Sequence, residues 1–310
     1  MITRYEYTDR GRLALRGADR VRFLHGMVTC DVEKLTDGGG SRAAMLSVKG
    51  RLLAELTIYV TADELLLSVD VSLFEKVRAL LDKHIVMDDV ELLDRSAELR
   101  ELGVYGDEAI ACVARAIGLD EATLAALHPY HHVATGAVRV ARDPSLAGVG
   151  FRLFGAPEAM SALVLPGALL SAAERELARI EAGTARYGAD LDEERLVVEA
   201  NLEDAISFDK GCYLGQEVVV RATTRGRVNR KLVGLTIDGE GLPAPRTKLT
   251  SEAQPEAGLI TSAAFSVRKG GVIALGYVHR AAIDAGKPIM LKGTDRQVHV
   301  VELPFAERSL

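Results

Sequence analysis

Hydrophobic and polar positions alternate over short stretches in the first quarter of the chain. An alternation with a period of two residues is typical of a strand that buries one face. It predicts four strands, at 11–16 (GRLALR), 43–48, 51–60 and 64–69. Lys49 and Gly50 stand between the second and third of these segments, which therefore read as a hairpin.

Helical spacing of apolar residues appears in three other segments. Asp19 precedes Val21, Leu24 and Val28, which would share one face of a short helix. The other two helices are predicted to begin at capping boxes, SLFE at 72–75 and SAAE at 171–174. Gly183 is expected to end the last of these helices.

After about residue 225 the pattern changes to short strand-like runs separated by Gly, Pro and Asp turns. The runs are RKLVGLTI, AGLITSAA, VIALGYVH, KPIMLKG and RQVHVVEL. Regular short strands of this kind indicate a small antiparallel barrel or sandwich. The sequence thus predicts an α+β fold, with an α+β region of two lobes at 1–224 and a C-terminal β-barrel at 225–310.

Composition narrows the class of protein without identifying it. At 310 residues the chain is long for a single core, so two or three lobes are expected. Its net charge of −6 gives no electrostatic footprint for duplex DNA. Pro166 interrupts the longest apolar stretch, 161–173, and the N-terminus has no apolar signal core, so neither a membrane span nor export is expected.

The cysteine content favours a reducing compartment. Cys30, Cys112 and Cys212 are odd in number and far apart, which predicts no disulfide framework. No Cys/His cluster has metal-ligand spacing, so no metal site is expected. The sequence therefore predicts a cytoplasmic protein.

One cysteine stands in an unusual setting, the stretch FDKGCYLGQEVVVR at 208–221. Lys210 could favour the thiolate of Cys212, while Gly211 and Gly215 would leave room for a close approach. The alternative is that both glycines serve turns and the cysteine is an incidental neighbour. Local chemistry leaves both interpretations open.

Four other features have a functional and a structural interpretation. Glu181, at a predicted helix end, could accept paired N–H donors from a heterocycle or simply be a solvated acid, and Glu199 is equally ambiguous. The histidines of HPYHHV, at 128–133, suggest a metal site, although a surface loop is the better interpretation. The basic run 221–231 could contact an anion or be a solvated loop.

The segment KGCYLGQE at 210–217 resembles the signature K-x-C-[FY]-x-G-Q-E of the YgfZ family of folate-binding proteins. That family is related to the glycine-cleavage T-protein (aminomethyltransferase) and includes mitochondrial iron–sulfur assembly factors. Further segments resemble the same superfamily, namely 17–32, 47–56, 179–191, 258–266 and 273–278.

The resemblance implies a T-protein-like, three-lobed fold with a central channel that holds a reduced folate such as tetrahydrofolate. Glu181 matches the glutamate that binds the pterin ring in T-proteins, which suits a carboxylate facing paired N–H donors. Cys212 matches the family's functional thiol. The implied folate-binding residues around it are Lys210, Gly211, Gly215, Gln216, Glu217 and Arg221.

One departure bears on activity. Aminomethyltransferases carry an acidic pair after the hairpin glycines, whereas this chain has Ala54 and Glu55. The resemblance therefore implies a folate-binding protein that supports iron–sulfur enzymes, including those that modify tRNA, with reduced folate and iron–sulfur proteins as partners. The alternatives are a tetrahydrofolate-dependent aminomethyltransferase or demethylase, and a scaffold that folate only stabilises.

Overall fold

The computed structural model describes residues 2–146, 148–224 and 228–305. The strands in this part of the chain are β1 (Thr3–Glu6), β2 (Arg10–Arg16), β3 (Gly40–Leu46), β4 (Leu52–Val60), β5 (Leu65–Asp70), β6 (Glu91–Asp94), β7 (Arg100–Tyr105), β8 (His132–Thr135), β9 (Val138–Arg142), β10 (Gly150–Gly155), β11 (Ala168–Leu169), β12 (Arg230–Ile237), β13 (Lys248–Ser251), β14 (Gly258–Ser266), β15 (Gly271–His279), β16 (Ile289–Leu291) and β17 (Gln297–Val301). The helices are α1 (Arg20–Met27), α2 (Phe74–His84), α3 (Ala109–Ile117), α4 (Glu121–Ala125), α5 (Pro157–Ser161), α6 (Ala172–Glu181), α7 (Gln216–Thr224) and α8 (Arg280–Asp284).

These strands form three separate sheets. The first has five strands in the order β3-β4-β5-β2-β6, and the second has six in the order β11-β1-β7-β10-β9-β8. The third is a closed antiparallel barrel in which β12 and β14 flank β15, followed by β13, β16 and β17. The α+β class, the three lobes and the C-terminal β-barrel are therefore confirmed.

The two faces of the first sheet differ in chemistry. Leu13, Leu56 and Leu67 point into an apolar core that also receives Phe23 and Leu81 from helices α1 and α2. Because successive strand residues face opposite sides, the neighbouring positions form the other face. That face carries a set of polar residues, namely Arg10, Arg12, Arg42, Glu55, Thr57 and Ser68. It is the face that meets the second sheet.

An apolar cluster joins the first two sheets. Ala14 and Tyr59 of the first sheet pack there against Phe154 of the second. His132 of β8 adds a hydrogen bond, since its Nε2 lies 2.9 Å from the carbonyl oxygen of Val60. A buried ion pair between Arg12 of β2 and Glu101 of β7, at 3.1 Å, also joins the two sheets. Other residues of the polar face, among them Arg10, Arg42 and Glu55, line a cleft between the sheets.

The barrel shares a hydrophobic core with the rest of the chain. Leu232 and Tyr277 of the barrel belong to the same buried cluster as Ile180 of α6 and Tyr213. The proposed boundary between residues 224 and 225 stays a prediction, because residues 225–227 lie outside the described part of the chain.

Local signals were right at one predicted capping box and wrong at the other. Ser171 and Glu174 bond reciprocally at the start of α6, and Gly183 follows its end with φ of 69°. In contrast, SLFE does not cap α2, because Ser72 instead donates to Asp70 and the chain first makes a short 3₁₀ turn at Val71–Leu73. The acid two residues before Ser72 competes successfully for its hydroxyl and amide.

Candidate functional site

A cleft lies between the first two sheets and is closed on its third side by α6 and the segment after it. Its lining is polar and rich in arginine, and it comprises Tyr7, Arg10, Arg42, Glu55, Thr57, Asp70, Tyr130, Pro144, Ser145, Leu146, Arg152, Arg175, Arg179, Thr184, Ala185, Arg186, Tyr187 and Asp204. A concave region on which several charged side chains converge is a candidate small-molecule site.

Glu55 is the acid that β4 places inside this cleft. Its Oε1 lies 2.9 Å from Nε of Arg42, and Arg42 is also 3.6 Å from Asp204. Burial opposes ionisation of Glu55, but the charges of Arg42 and Arg10 outweigh it and hold the pKa of the carboxyl below its usual value. Glu55 is therefore a carboxylate, and its oxygens act as hydrogen-bond acceptors.

The alternation of side chains along β4 explains the departure from the family's acidic pair at Ala54 and Glu55. Ala54 is 1% exposed and lies in the apolar core of the first lobe. Glu55, one residue later, points to the cleft. The acid that is missing from the pair thus corresponds to a core-facing position, and the acid that remains is the one that faces the cleft.

Buried charges form the floor of the cleft. Arg152 of β10 contacts Asp143 at 3.0 Å and Glu101 at 2.9 Å, and all three side chains are almost fully buried. Tyr7 and Tyr105 donate hydrogen bonds to the same carboxylate oxygen of Asp143. Burial raises the pKa of Asp143, but the charge of Arg152 and the hydrogen bonds from Tyr105 and Ser145 outweigh it and bring the pKa to about 2. The floor is a fixed, ionised network.

Helix α6 contributes a cationic wall. Arg175 and Arg179 lie four residues apart and therefore on the same side of the helix. Arg175 contacts Asp9 at 2.6 Å and lies 4.1 Å from the ring centre of Tyr5. Arg179 contacts Asp190 at 2.6 Å and is itself buried. Both guanidinium groups are held by acids behind the cleft wall.

Tyr130 lines the cleft from a strained backbone position. Its φ of 66° lies in the left-handed region, which side-chain-bearing residues seldom adopt. Gly40 makes this arrangement possible, because a Cβ there would lie 2.3 Å from the Tyr130 carbonyl oxygen. Burial raises the pKa of Tyr130, so its hydroxyl stays protonated at neutral pH.

The signature segment lies apart from this cleft. Cys212 is exposed and is not among the residues that line the cleft. Lys210 is buried, and its Nζ donates to the carbonyl oxygens of His25, Val28 and Cys30 at 2.5, 2.8 and 2.8 Å. The ammonium of Lys210 is thus bonded to the last turn of α1 and to the backbone that follows it, and the expected effect of Lys210 on the Cys212 thiol stays a prediction.

The other predicted residues of the segment support its local structure. Gly215 has φ of 83°, and a Cβ there would lie 2.4 Å from the carbonyl oxygen of Ser47. Gly211 precedes Cys212, and the side-chain nitrogen of Gln216 lies 3.5 Å from the Gly211 carbonyl oxygen. Glu217 and Arg221 form an exposed ion pair along α7. Of the basic run 221–231, residues 225–227 lie outside the described part.

Glu181 occupies the last turn of α6, on the side away from Arg175 and Arg179. It is 9% exposed, and its Oε1 accepts a hydrogen bond of 2.6 Å from the hydroxyl of Ser266 in the barrel. Glu181 does not line the cleft, whereas Thr184 and Ala185, just beyond it, do. Its role in pterin binding stays a prediction, as does that of Glu199, which accepts a hydrogen bond from the amide of Leu196.

Within the described ranges, no group of three or more His, Cys, Asp or Glu side chains could hold a metal ion. His128 and His131 contact each other edge to face, whereas His132 is buried against Val60. In the same part of the chain no helix is long and apolar enough to cross a membrane.

Sequence reasoning missed most of the cleft, including Arg10, Arg42 and Tyr130. A usable signal exists for Arg42, which is an arginine inside the otherwise strand-like apolar run SRAAML. An arginine at such a position must face a polar space or a partner charge, because burial without either is costly.

Comparison with known protein families shows that two segments of the chain match family models. Residues 3–152 match the GCVT N-terminal domain, and residues 230–307 match the glycine cleavage T-protein C-terminal barrel domain. The first match spans the two sheets that form most of the cleft, and the second spans the barrel.

Individual relatives are similar to this chain over nearly its whole length. An aminomethyltransferase of Rubrobacter xylanophilus is 30% identical over 98% of this chain and 83% of the relative. An aminomethyltransferase of Chloroherpeton thalassium is 28% identical over 98% and 87%, respectively. The crystal structure of the glycine cleavage system aminomethyltransferase T from Bartonella henselae has a TM-score of 0.85 at 20% identity, covering 99% of this chain and 87% of that one. This last likeness concerns the fold.

Proposed function

The chain belongs to the glycine cleavage T-protein family, and we propose on that basis that it binds a reduced folate in the central cleft. The observation that carries this proposal is the combination found in the lining. Glu55 offers carboxylate oxygens, Tyr130 and Tyr187 offer aromatic rings, and the arginines supply positive charge. A reduced folate has the matching parts: a pterin with paired N–H donors, a second ring, and a glutamyl group with two carboxylates.

Each part of the ligand has a group of suitable chemistry. A carboxylate can accept two parallel hydrogen bonds from the amino and ring N–H groups of a pterin. Glu55 and Glu181 are the two candidates for this role, Glu55 because it faces the cleft and Glu181 because of the family resemblance. Tyrosine rings provide flat apolar surface with a polar end, which suits stacking on a heterocycle.

Calorimetric titration with tetrahydrofolate under reducing conditions tests the proposal. We expect saturable binding by the wild type and about tenfold weaker binding by Glu55→Gln, because one good hydrogen-bond acceptor is replaced by a weaker one. Glu181→Gln measures the second candidate in the same way. Glu98→Gln, an exposed surface substitution, is the control and should bind like the wild type. Absence of tetrahydrofolate binding by the wild type would refute the proposal.

We further propose that the protein supports iron–sulfur enzymes, including those that modify tRNA, with Cys212 as its functional thiol. Support comes from the signature KGCYLGQE and from the exposure of Cys212. The thiol is free to meet a partner protein, which fits an action outside the cleft. In a deletion strain, Cys212→Ser should fail to restore iron–sulfur enzyme activity while Cys112→Ser restores it. Full complementation by Cys212→Ser would contradict this role.

A second candidate is a tetrahydrofolate-dependent aminomethyltransferase or demethylase. The position of Glu55 favours it, because the cleft-facing acid of the pair is retained. The relatives described above also carry the name aminomethyltransferase. Incubation of the purified protein with tetrahydrofolate and an aminomethyl or methylamine donor should then yield methylene-tetrahydrofolate, with loss of the product in Glu55→Gln. No product above the protein-free background would leave folate binding alone as the function of the cleft.

A further inference from the structure

Arg10 differs from the other arginines of the cleft in its counter-charges. Arg42 contacts Glu55, Arg152 contacts Asp143, Arg175 contacts Asp9, Arg179 contacts Asp190, and Arg186 contacts Glu176. Among the described residues, Arg10 is the cleft arginine with no carboxylate at ion-pair distance. Its charge is permanent at any physiological pH, so it remains available to an anion.

The acid best placed to neutralise Arg10 is committed elsewhere. Asp70 of β5 pairs directly with Arg10 across the sheet and also lines the cleft. The Oδ1 atom of Asp70, however, accepts hydrogen bonds from the amide of Ser72 at 2.9 Å and from its hydroxyl at 2.6 Å. The carboxylate thus holds the 3₁₀ turn that leads into α2, and it leaves Arg10 without its cross-strand partner.

The guanidinium of Arg10 is nevertheless held in place. Its Nε donates to the hydroxyl of Ser68 at 3.2 Å, and its Nη2 donates to the carbonyl oxygen of Ser68 at 2.6 Å. Ser68 is 1% exposed and lies in the middle of the sheet, between β2 and β4. These two bonds fix the orientation of the guanidinium while leaving further N–H groups unused. A positioned donor of this kind binds an anion at little cost in side-chain entropy.

The cleft acid close to Arg10 would not repel such an anion strongly. Glu55 lies near enough for the charge of Arg10 to act on it, but its carboxylate contacts Arg42 at 2.9 Å and is neutralised there. An anionic group that enters the cleft at this point can therefore pair with the guanidinium of Arg10.

We propose that Arg10 is a specificity-determining residue that pairs with a carboxylate on the glutamyl group of the bound folate. This inference rests on the proposed folate binding, because the glutamyl carboxylates carry the negative charge of that ligand. It predicts that the cleft distinguishes tetrahydrofolate from tetrahydropteroate, which has the same ring system but lacks the glutamyl group.

A thermodynamic cycle that combines one substitution with one change of ligand tests the pairing. Calorimetry should show that Arg10→Gln weakens tetrahydrofolate binding at least tenfold and changes tetrahydropteroate binding less than twofold. Arg10→Lys, which keeps the charge, should recover part of the loss. Arg16→Gln, on the same strand but outside the cleft and paired with Glu64, is the control and should bind both ligands like the wild type.

The outcomes separate this inference from the function on which it rests. Equal losses for both ligands in Arg10→Gln, or no loss for either, would overturn the pairing while leaving folate binding intact. Failure of the wild type to bind either ligand would instead overturn the proposed function, and the inference with it. A loss confined to tetrahydrofolate in both Arg10→Gln and Arg16→Gln would also overturn it, because a general charge effect would then explain the result.

Discussion

The cleft and the signature segment 210–217 differ in where their chemistry comes from. The segment is one continuous stretch, and its buried lysine and left-handed glycine contact backbone from other parts of the first lobe, at Val28 and Ser47. The cleft draws side chains from both sheets and from α6, which are far apart in the sequence, and it concentrates buried charge. The comparison teaches that a conspicuous sequence motif and a cleft lined by charged side chains need not coincide in a protein of this family.

The two regions also differ in how their charges are stabilised. On the floor of the cleft, Arg152 is compensated by Asp143 and Glu101, so each charge depends on the others. In the signature segment, Lys210 is compensated by three carbonyl dipoles, and no carboxylate of residues 2–146, 148–224 and 228–305 lies at ion-pair distance from it. The stability of variants in each region therefore shows whether a charged side chain is needed for folding or is free to serve function.

The largest effect is expected at the floor of the cleft. Asp143→Ala should lower the free energy of unfolding by about 3–5 kcal/mol, because it leaves the buried charge of Arg152 incompletely compensated and removes the acceptor of two tyrosines. Urea denaturation measures the change. Glu98→Ala, which removes an exposed ion pair, should cost about 0.5 kcal/mol or less. Similar losses in the two variants would show that the network does not contribute to stability.

The next effect is expected at Lys210. Lys210→Met should lower the free energy of unfolding by about 3 kcal/mol, since three backbone acceptors lose a charged donor. Cys212→Ser, two residues away and exposed, should change it by about 0.5 kcal/mol or less. Chemical denaturation of both variants makes the comparison. If the Lys210→Met variant were as stable as the wild type, Lys210 would not have the structural role proposed here, and a functional role would be favoured.

The contact between the sheets should make stability depend on pH. Burial, followed by the charge of Arg139, lowers the pKa of His132 from 6.5 to about 4. The unfolded chain then binds a proton that the folded protein does not, so the stabilisation is complete above pH 6.5 and is lost as the pH falls towards 4. Between pH 6.5 and 5 the loss attributable to His132 should be about 2 kcal/mol.

His132→Gln should remove this contribution from the pH profile. Gln at this position can still donate to the carbonyl of Val60 but does not titrate. Denaturation curves at pH 6.5 and 5 for both proteins give the comparison. Identical slopes for the wild type and the variant would place the acid sensitivity elsewhere.

The last prediction concerns the reactivity of the three thiols. It involves no change in stability and is the most informative about the signature segment. Cys212 is exposed, whereas Cys30 and Cys112 are buried and burial raises the pKa of both, to about 11 for Cys30. Cys212 should react with iodoacetamide at least tenfold faster than either of them. Because Cys212 does not line the cleft, bound tetrahydrofolate should leave its rate unchanged. Peptide mass spectrometry over a time course reads out each site, and protection of Cys212 by folate would contradict the separation of the two regions.

Sequence patterns predicted most of the first sheet and of the barrel, because these follow from local periodicity, but they indicated no strand of the second sheet. The strands at β2, β4 and β5 follow from alternation, and α6 follows from its capping box and Gly183. Helix α8 and strand β13 are short, and the sequence patterns did not indicate them. The barrel was predicted from turn spacing alone, although its closure depends on the pairing of β12 with β17, which local patterns do not encode.

The candidate site was harder to predict because its residues meet only in three dimensions. Glu55 was identified as part of an acidic pair, but the face to which it points depends on the register of β4 in the sheet. No sequence pattern pointed to Arg10, because its importance depends on Asp70, whose carboxylate bonds Ser72 rather than Arg10. Lys210 was visible in the motif, yet its role depends on backbone from the distant region 25–30.

The most direct test of the account is a crystal structure of the protein with tetrahydrofolate. The account predicts that the ligand occupies the cleft between the two sheets, with a ring against Tyr130, a carboxylate of the ligand at Arg10, and Cys212 outside the contact distance. A well-ordered folate bound against residues 210–217, with the cleft between Arg10 and Glu55 left unoccupied, would contradict it.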